Sequence, residues 1–102
     1  MHFLNTAYLL TGGNVGDRRN YLQLAVNLIN DQCGRIVKTS ALYETAPWGN
    51  ANQATFLNQA LEIQTAYTAT ELMRRLLNIE EQMGRERFEK NGPRTIDIDI
   101  LL

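Results

Sequence analysis

The chain opens on a short apolar run, Ala7 to Thr11, rich enough for a buried strand, and Gly12-Gly13-Asn14 breaks it. The hydrophobic period then lengthens. From Arg18 to about Cys33, residues Tyr21, Leu24, Ala25, Leu28 and Ile29 recur at helical spacing. Asp17 is placed to cap this helix, and Gly34 sits where a left-handed C-terminal cap belongs. Arg35 to Thr45 alternates and carries β-branched Ile36, Val37 and Thr39, so it reads as one strand, followed by a loop rich in Gly, Pro, Asn and Ala from Ala46 to Ala54. Phe56 to Gln64 reads as a third strand with two unlike faces. Leu57, Leu61 and Ile63 form an apolar set, whereas Phe56, Asn58, Ala60 and Glu62 form a mixed one that suits an uncovered face. Thr68 and Glu71 then fit a capping box, and Leu72, Leu76, Ile79 and Met83 make a helical stripe that ends at Gly84. A fourth strand closes the pattern, with Ile96, Ile98 and Ile100 set for burial.

The order βαββαβ predicts an α+β, ferredoxin-like sandwich: an antiparallel four-stranded sheet with two helices on one face and the other face free for a ligand. No solenoid-type repeat or low-complexity segment interrupts it. At 102 residues the expectation is a single domain spanning 1–102. A net charge of -1 supplies no global field toward nucleic acid or anionic membrane, so any phosphate binding must be local. The apolar runs are far shorter than the ~20 residues a membrane helix needs, and no secretory leader is evident, so a cytoplasmic location is expected. Cys33 reads as a small buried residue at a helix end. With His2 the only histidine, no Cys/His zinc site can be assembled.

The candidate chemistry lies near the end of the chain. Asp97 and Asp99 alternate with isoleucines on a strand, so both carboxylates point to one face from Cα atoms ~6.6 Å apart. Like charges on one strand face repel, and a hard divalent cation such as Mg²⁺ reverses that sign, taking the rest of its shell from water and phosphate. A solvated acidic edge is the other reading of the same two residues. Arg85, Arg87, Lys90 and Arg94 fall within ten residues just before them, in a segment bounded by Gly84, Gly92 and Pro93. Guanidinium groups beside a two-carboxylate site make a polyphosphate clamp, whereas alone they would be a solvated loop balanced by Glu86 and Glu89. Phosphoryl-type transfer asks mainly for positioning and charge neutralisation, and this segment offers both. By contrast, Thr11-Gly12-Gly13-Asn14-Val15-Gly16 lacks the first glycine of a dinucleotide fingerprint and contains no Walker-type Gly-Lys-Ser/Thr. Nor do the strands carry the basic-glycine-aromatic signature of an RNA-binding module.

Several blocks in order resemble one family. Ala7-Tyr8 with Gly12-Gly13-Asn14-Val15-Gly16-Asp17-Arg18, Tyr43-Glu44-Thr45-Ala46-Pro47-Trp48-Gly49, Phe56-Leu57-Asn58, Glu80 with Gly84-Arg85-Glu86-Arg87, and Gly92-Pro93-Arg94-Thr95-Ile96-Asp97-Ile98-Asp99 are similar to the 6-hydroxymethyl-7,8-dihydropterin pyrophosphokinases. The resemblance implies an enzyme of folate biosynthesis that transfers the β,γ-pyrophosphoryl group of ATP, its co-substrate, to the pterin hydroxymethyl oxygen. It implies two Mg²⁺ ions held by Asp97 and Asp99, with Arg85 and Arg94 contacting ATP and assisting transfer. ATP contacts are further implied for Glu80, Arg87 and Ile100. Pterin recognition falls to Thr45, Ala46, Pro47 and Trp48, with ring stacking at Phe56 and an amide contact from Asn58.

Three features depart from the family pattern. Gly12-Gly13 stands where Gly-Ser is common, and Asn91 stands where some members carry tryptophan, with Phe88 a possible substitute. The family also continues well beyond its Asp-x-Asp motif with segments that help enclose ATP. The expectation is therefore a core domain lacking the C-terminal part of the family fold, with weak ATP binding and poor turnover. The alternative is a catalytically weak pterin- or nucleotide-binding ferredoxin-like domain.

Overall fold

The computed structural model describes residues 4–47, 54–84 and 95–101. The elements run β1 (Asn5–Gly13), α1 (Arg18–Gln32), β2 (Arg35–Thr39), β3 (Tyr43–Thr45), β4 (Phe56–Thr65), α2 (Ala69–Gln82) and β5 (Asp97–Ile100). All pairings are antiparallel, in the order β2-β4-β1-β5, with β3 also on β4. This is the expected ferredoxin-like α+β arrangement with one strand more than anticipated. The two long strands β1 and β4 form its centre, and α1 and α2 cover one face.

The extra strand comes from a break inside the expected Arg35–Thr45 element. Thr39 is opposite Leu61 and Tyr43 is opposite Asn58, so three residues (40 to 42) face two (59 and 60). An irregularity of this kind interrupts a ladder. Ser40 bridges the gap: its N–H donates to the Ala60 carbonyl at 2.8 Å, its Oγ accepts from the Ala60 N–H at 2.9 Å, and its carbonyl accepts from Gln59 Nε2 at 3.0 Å.

The core lies between the sheet and the helices. Leu9, Leu61, Ile63, Leu72, Leu76, Ile79 and Ile96 are fully buried, joined by Leu57 and Ile98. The α2 stripe is as expected, including Met83, and the Thr68–Glu71 capping box is complete. Asp17 Oδ1 accepts from the Asn20 N–H at 3.2 Å, which fixes the start of α1. The α1 face is rotated from expectation, because Leu22, Ala25 and Ile29 are buried whereas Leu24 is exposed.

Two glycine expectations are corrected. Gly34 is not left-handed; among the described residues Gly16 and Gly84 have positive φ, at 67° and 77°. Gly34 is required instead by close approach, since a Cβ there would drive into the Gln64 carbonyl oxygen and its adjoining backbone. Gly12 and Gly13 do not end the first strand but pair with Asn58 and Leu57. Cys33 is buried at the C-cap of α1 as expected, and burial pushes its thiol pKa up to about 11.

Candidate functional site

β5 presents the two carboxylates. Asp97 is opposite Gly12 and Asp99 opposite Leu10, so both lie on the face of the sheet that the helices leave uncovered. Asp97 is half-buried and Asp99 exposed, while Ile98 between them packs into the core. The strand is held on both edges. Leu101 donates its N–H to the Tyr8 carbonyl at 2.7 Å, so in an antiparallel ladder the N–H of Ile98 points away from β1. That N–H donates to Glu80 Oε2 of α2 at 2.6 Å, and Glu80 is only 3% exposed. Glu80 thus fixes the backbone between the two aspartates.

The register carries this face across the sheet. Gly12 is opposite Asp97 on one side and Asn58 on the other, and Asn58 is opposite Tyr43. Neighbouring strands lie ~4.8 Å apart, so Asp97 and Asn58 are roughly 10 Å apart with a residue lacking a side chain between them. The floor there is closed to any larger side chain: a Cβ on Gly12 would come within 2.5 Å of Asn58 Oδ1.

Asn58 is 8% exposed, and its amide nitrogen donates to Thr45 Oγ1 at 2.9 Å and to the Tyr43 carbonyl at 3.3 Å. Both amide protons are engaged within the protein, which leaves Oδ1 as the group directed toward Gly12. Phe56 is half-buried and directly opposite Thr45 on the same face, and Ala46 and Pro47 follow, exposed and half-buried respectively. Thr45, Phe56 and Asn58 therefore form one cluster, with Asp97 and Asp99 on the same face of β5, beyond the intervening β1. Trp48, Arg85, Arg87 and Arg94 lie outside the described residues.

Ile100 is on the other face. It is opposite Leu9 and lines a largely apolar cavity of about 420 Å³ with Ala69, Thr70 and Met73 of α2, just past the outer edge of β5. The placement of Gly12 between Asp97 and Asn58, and of Met73 beside Ile100, escapes sequence reasoning, since only strand register and helix packing bring these residues together. No group of three or more His, Cys, Asp or Glu able to hold a metal is found among the described residues. Two carboxylates with water and phosphate suffice for Mg²⁺, so the donor set of Asp97 and Asp99 fits that ion. No helix among the described residues is long and apolar enough to cross a membrane.

The sequence model of 7,8-dihydro-6-hydroxymethylpterin-pyrophosphokinase matches residues 8–102. The chain belongs to this pyrophosphokinase family. It is 46% identical over 99 residues to a 2-amino-4-hydroxy-6-hydroxymethyldihydropteridine pyrophosphokinase of Bacillus subtilis, covering 96% of this chain and 59% of that protein. Proteins of the same name from Aquifex aeolicus and Methylorubrum extorquens are 42% and 43% identical, over 95% and 96% of this chain and 60% and 63% of theirs. The chain thus spans about three fifths of the length of these pyrophosphokinases, and the residues matched by the family model include the Asp97–Asp99 strand and the Thr45–Asn58 cluster.

Proposed function

We propose that this chain is the core of an enzyme that transfers pyrophosphate from ATP to 6-hydroxymethyl-7,8-dihydropterin, a step of folate biosynthesis. The observation that carries the proposal is the row Asp97, Gly12, Asn58: hard oxygen ligands and a polar, aromatic-flanked cluster on one open face. In this reading the pterin hydroxymethyl oxygen attacks the β-phosphorus of ATP. The bond from that phosphorus to the oxygen bridging the α-phosphorus breaks, the alcohol releases its proton to water, and AMP leaves with the bridging oxygen. Asp97 and Asp99 hold two Mg²⁺ ions, which when bound neutralise the polyphosphate. Arg85, Arg87 and Arg94 supply further positive charge to the phosphates, a role that rests on the family resemblance.

The remaining residues bind and orient. Phe56 lies against the flat pterin, and Asn58 meets its edge through Oδ1, held by Thr45. Thr45, Ala46, Pro47 and Trp48 complete that wall. Ile100, with Ala69, Thr70 and Met73, offers the apolar recess for the base of ATP, so the nucleotide crosses the edge of β5 with its phosphates at the aspartates. Glu80 serves this nucleotide by fixing β5 and borders its path.

Calorimetric titration with an α,β-methylene ATP analogue, with and without Mg²⁺, tests the reading. Binding should require Mg²⁺ and weaken at least about tenfold in Asp97→Asn or Asp99→Asn, since even outer-sphere changes cost metal sites that much. Magnesium-independent binding untouched by either substitution would overturn it.

A further inference from the structure

Arg18 occupies an electrostatically unfavourable place. It is the first residue of α1, where the helix dipole favours anions, and the first turn contains no acidic residue. Its guanidinium nonetheless makes three hydrogen bonds within the protein. Nη2 donates to Glu44 Oε1 at 2.9 Å, and Nη1 donates to the Thr55 carbonyl at 2.9 Å and to Thr55 Oγ1 at 3.1 Å. Asn14, just ahead of the helix, donates from Nδ2 to the Ala54 carbonyl at 3.1 Å. Glu44 is in β3 and Thr55 immediately precedes β4, so one planar fork ties together the two stems that enter and leave the 46–54 segment.

Among the described residues, the two stems are otherwise joined by the Asn58 amide bonds to Thr45 and Tyr43 and by a short ladder. β3 meets β4 through only three residue pairs, Tyr43 with Asn58, Glu44 with Leu57 and Thr45 with Phe56. Side chains alternate across a strand, so Glu44 and Arg18 lie on the helix side while Thr45, Phe56 and Asn58 face the open side. Arg18 is thereby shielded from any ligand on that open face. An ion pair whose side chains are 29% and 56% exposed contributes little to stability. Its consequence is geometric.

We propose that Arg18 is a positioning residue for pterin recognition: by tying Glu44 to Thr55 from beneath the sheet, it sets the spacing at which Thr45, Phe56 and Asn58 meet the ligand. This rests on the reading that these three residues bind a pterin. Loss of the fork lowers the fraction of molecules with a competent pocket, and apparent affinity falls by that fraction.

The test uses Arg18→Gln, Arg18→Lys and Glu44→Gln in the protein at its natural length, with 6-hydroxymethylpterin and an α,β-methylene ATP analogue as separate probes. Arg18→Gln should raise the pterin Kd about tenfold, while the Kd of the ATP analogue stays within about twofold. Arg18→Lys should recover part of the loss, because an ammonium keeps the Glu44 pair but not the fork. Combining Arg18→Gln with Glu44→Gln should add nothing further. In the ligand-free protein, amide exchange should quicken at Tyr43, Thr45 and Asn58 and remain unchanged in α2. A folded Arg18→Gln protein with unchanged pterin affinity and unchanged exchange overturns the proposal. So does an equal loss for both probes, which would mark a general role in the fold. An unaltered protein that ignores the pterin would overturn the functional reading and this inference together.

Discussion

At the scale of single residues, two glycines separate stability from function. Gly34 packs against the Gln64 carbonyl and neighbouring backbone, which cannot move without breaking β4 from its partners, whereas Gly12 packs against the Asn58 amide. Gly34→Ala should therefore destabilise by about 1–3 kcal/mol or more, and Gly12→Ala by less, because a side chain can yield where backbone cannot. The order should reverse for pterin binding, since displacing Asn58 breaks its bonds to Thr45 and Tyr43. Chemical denaturation and pterin titration of the two variants check both halves. Cys33 makes a separate prediction. Burial raises its folded pKa from 9.0 to about 11. The folded state thus prefers the neutral thiol, and the stability linked to it is complete below pH ~9 and falls as pH rises toward ~11. Denaturant unfolding between pH 7 and 11 should show a steeper alkaline loss for the unaltered protein than for Cys33→Ala.

Among the elements, α2 was legible because its determinants are local: the Thr68–Glu71 box and the stripe Leu72, Leu76, Ile79 and Met83 all lie within one segment. The strand expected from Arg35 to Thr45 was not, because its break is decided by Ser40 bonding to Ala60, a residue 20 positions away. The same distance effect concealed the anchoring of β5 by Glu80, a residue for which the family resemblance implies an ATP contact. On the helix it reads as one more acidic residue, yet it is buried against the outer edge of β5 and accepts the Ile98 N–H. Glu80→Ala should leave that N–H without its acceptor at a cost of about 1–3 kcal/mol, and Glu80→Gln, which keeps an oxygen there, should cost less. The local readout is hydrogen exchange at Ile98, which should lose protection in Glu80→Ala before the β1 and β4 amides do. Uniform loss of protection across the sheet would show that β5 is not separately anchored.

On the scale of the whole molecule, the order β2-β4-β1-β5 converts sequence spacing into a site. Alternation alone put Asp97 and Asp99 on one face and Ile100 on the other, but the row from Asp97 through Gly12 to Asn58 required the register of three strands. The same topology leaves β5 with β1 on one side and, among the described residues, no strand on the other. Ile100, Ala69, Thr70 and Met73 consequently wall the proposed base recess from one side, and Tyr8 and Leu101 remain 44% and 51% exposed on the open face. Tight small-molecule sites bury most of their ligand, roughly 70–90% of its surface, and a one-sided recess falls short of that. The pyrophosphokinase relatives carry additional length that this chain does not match. The 102-residue chain should therefore bind the ATP analogue in the presence of Mg²⁺ at least about tenfold more weakly than a version extended to the relatives' length, each tenfold being about 1.4 kcal/mol. Pterin affinity should differ less between the two, because Thr45, Phe56 and Asn58 are all within the shared core. Equal nucleotide affinity at both lengths would show that the β5 edge and α2 form the complete base site by themselves.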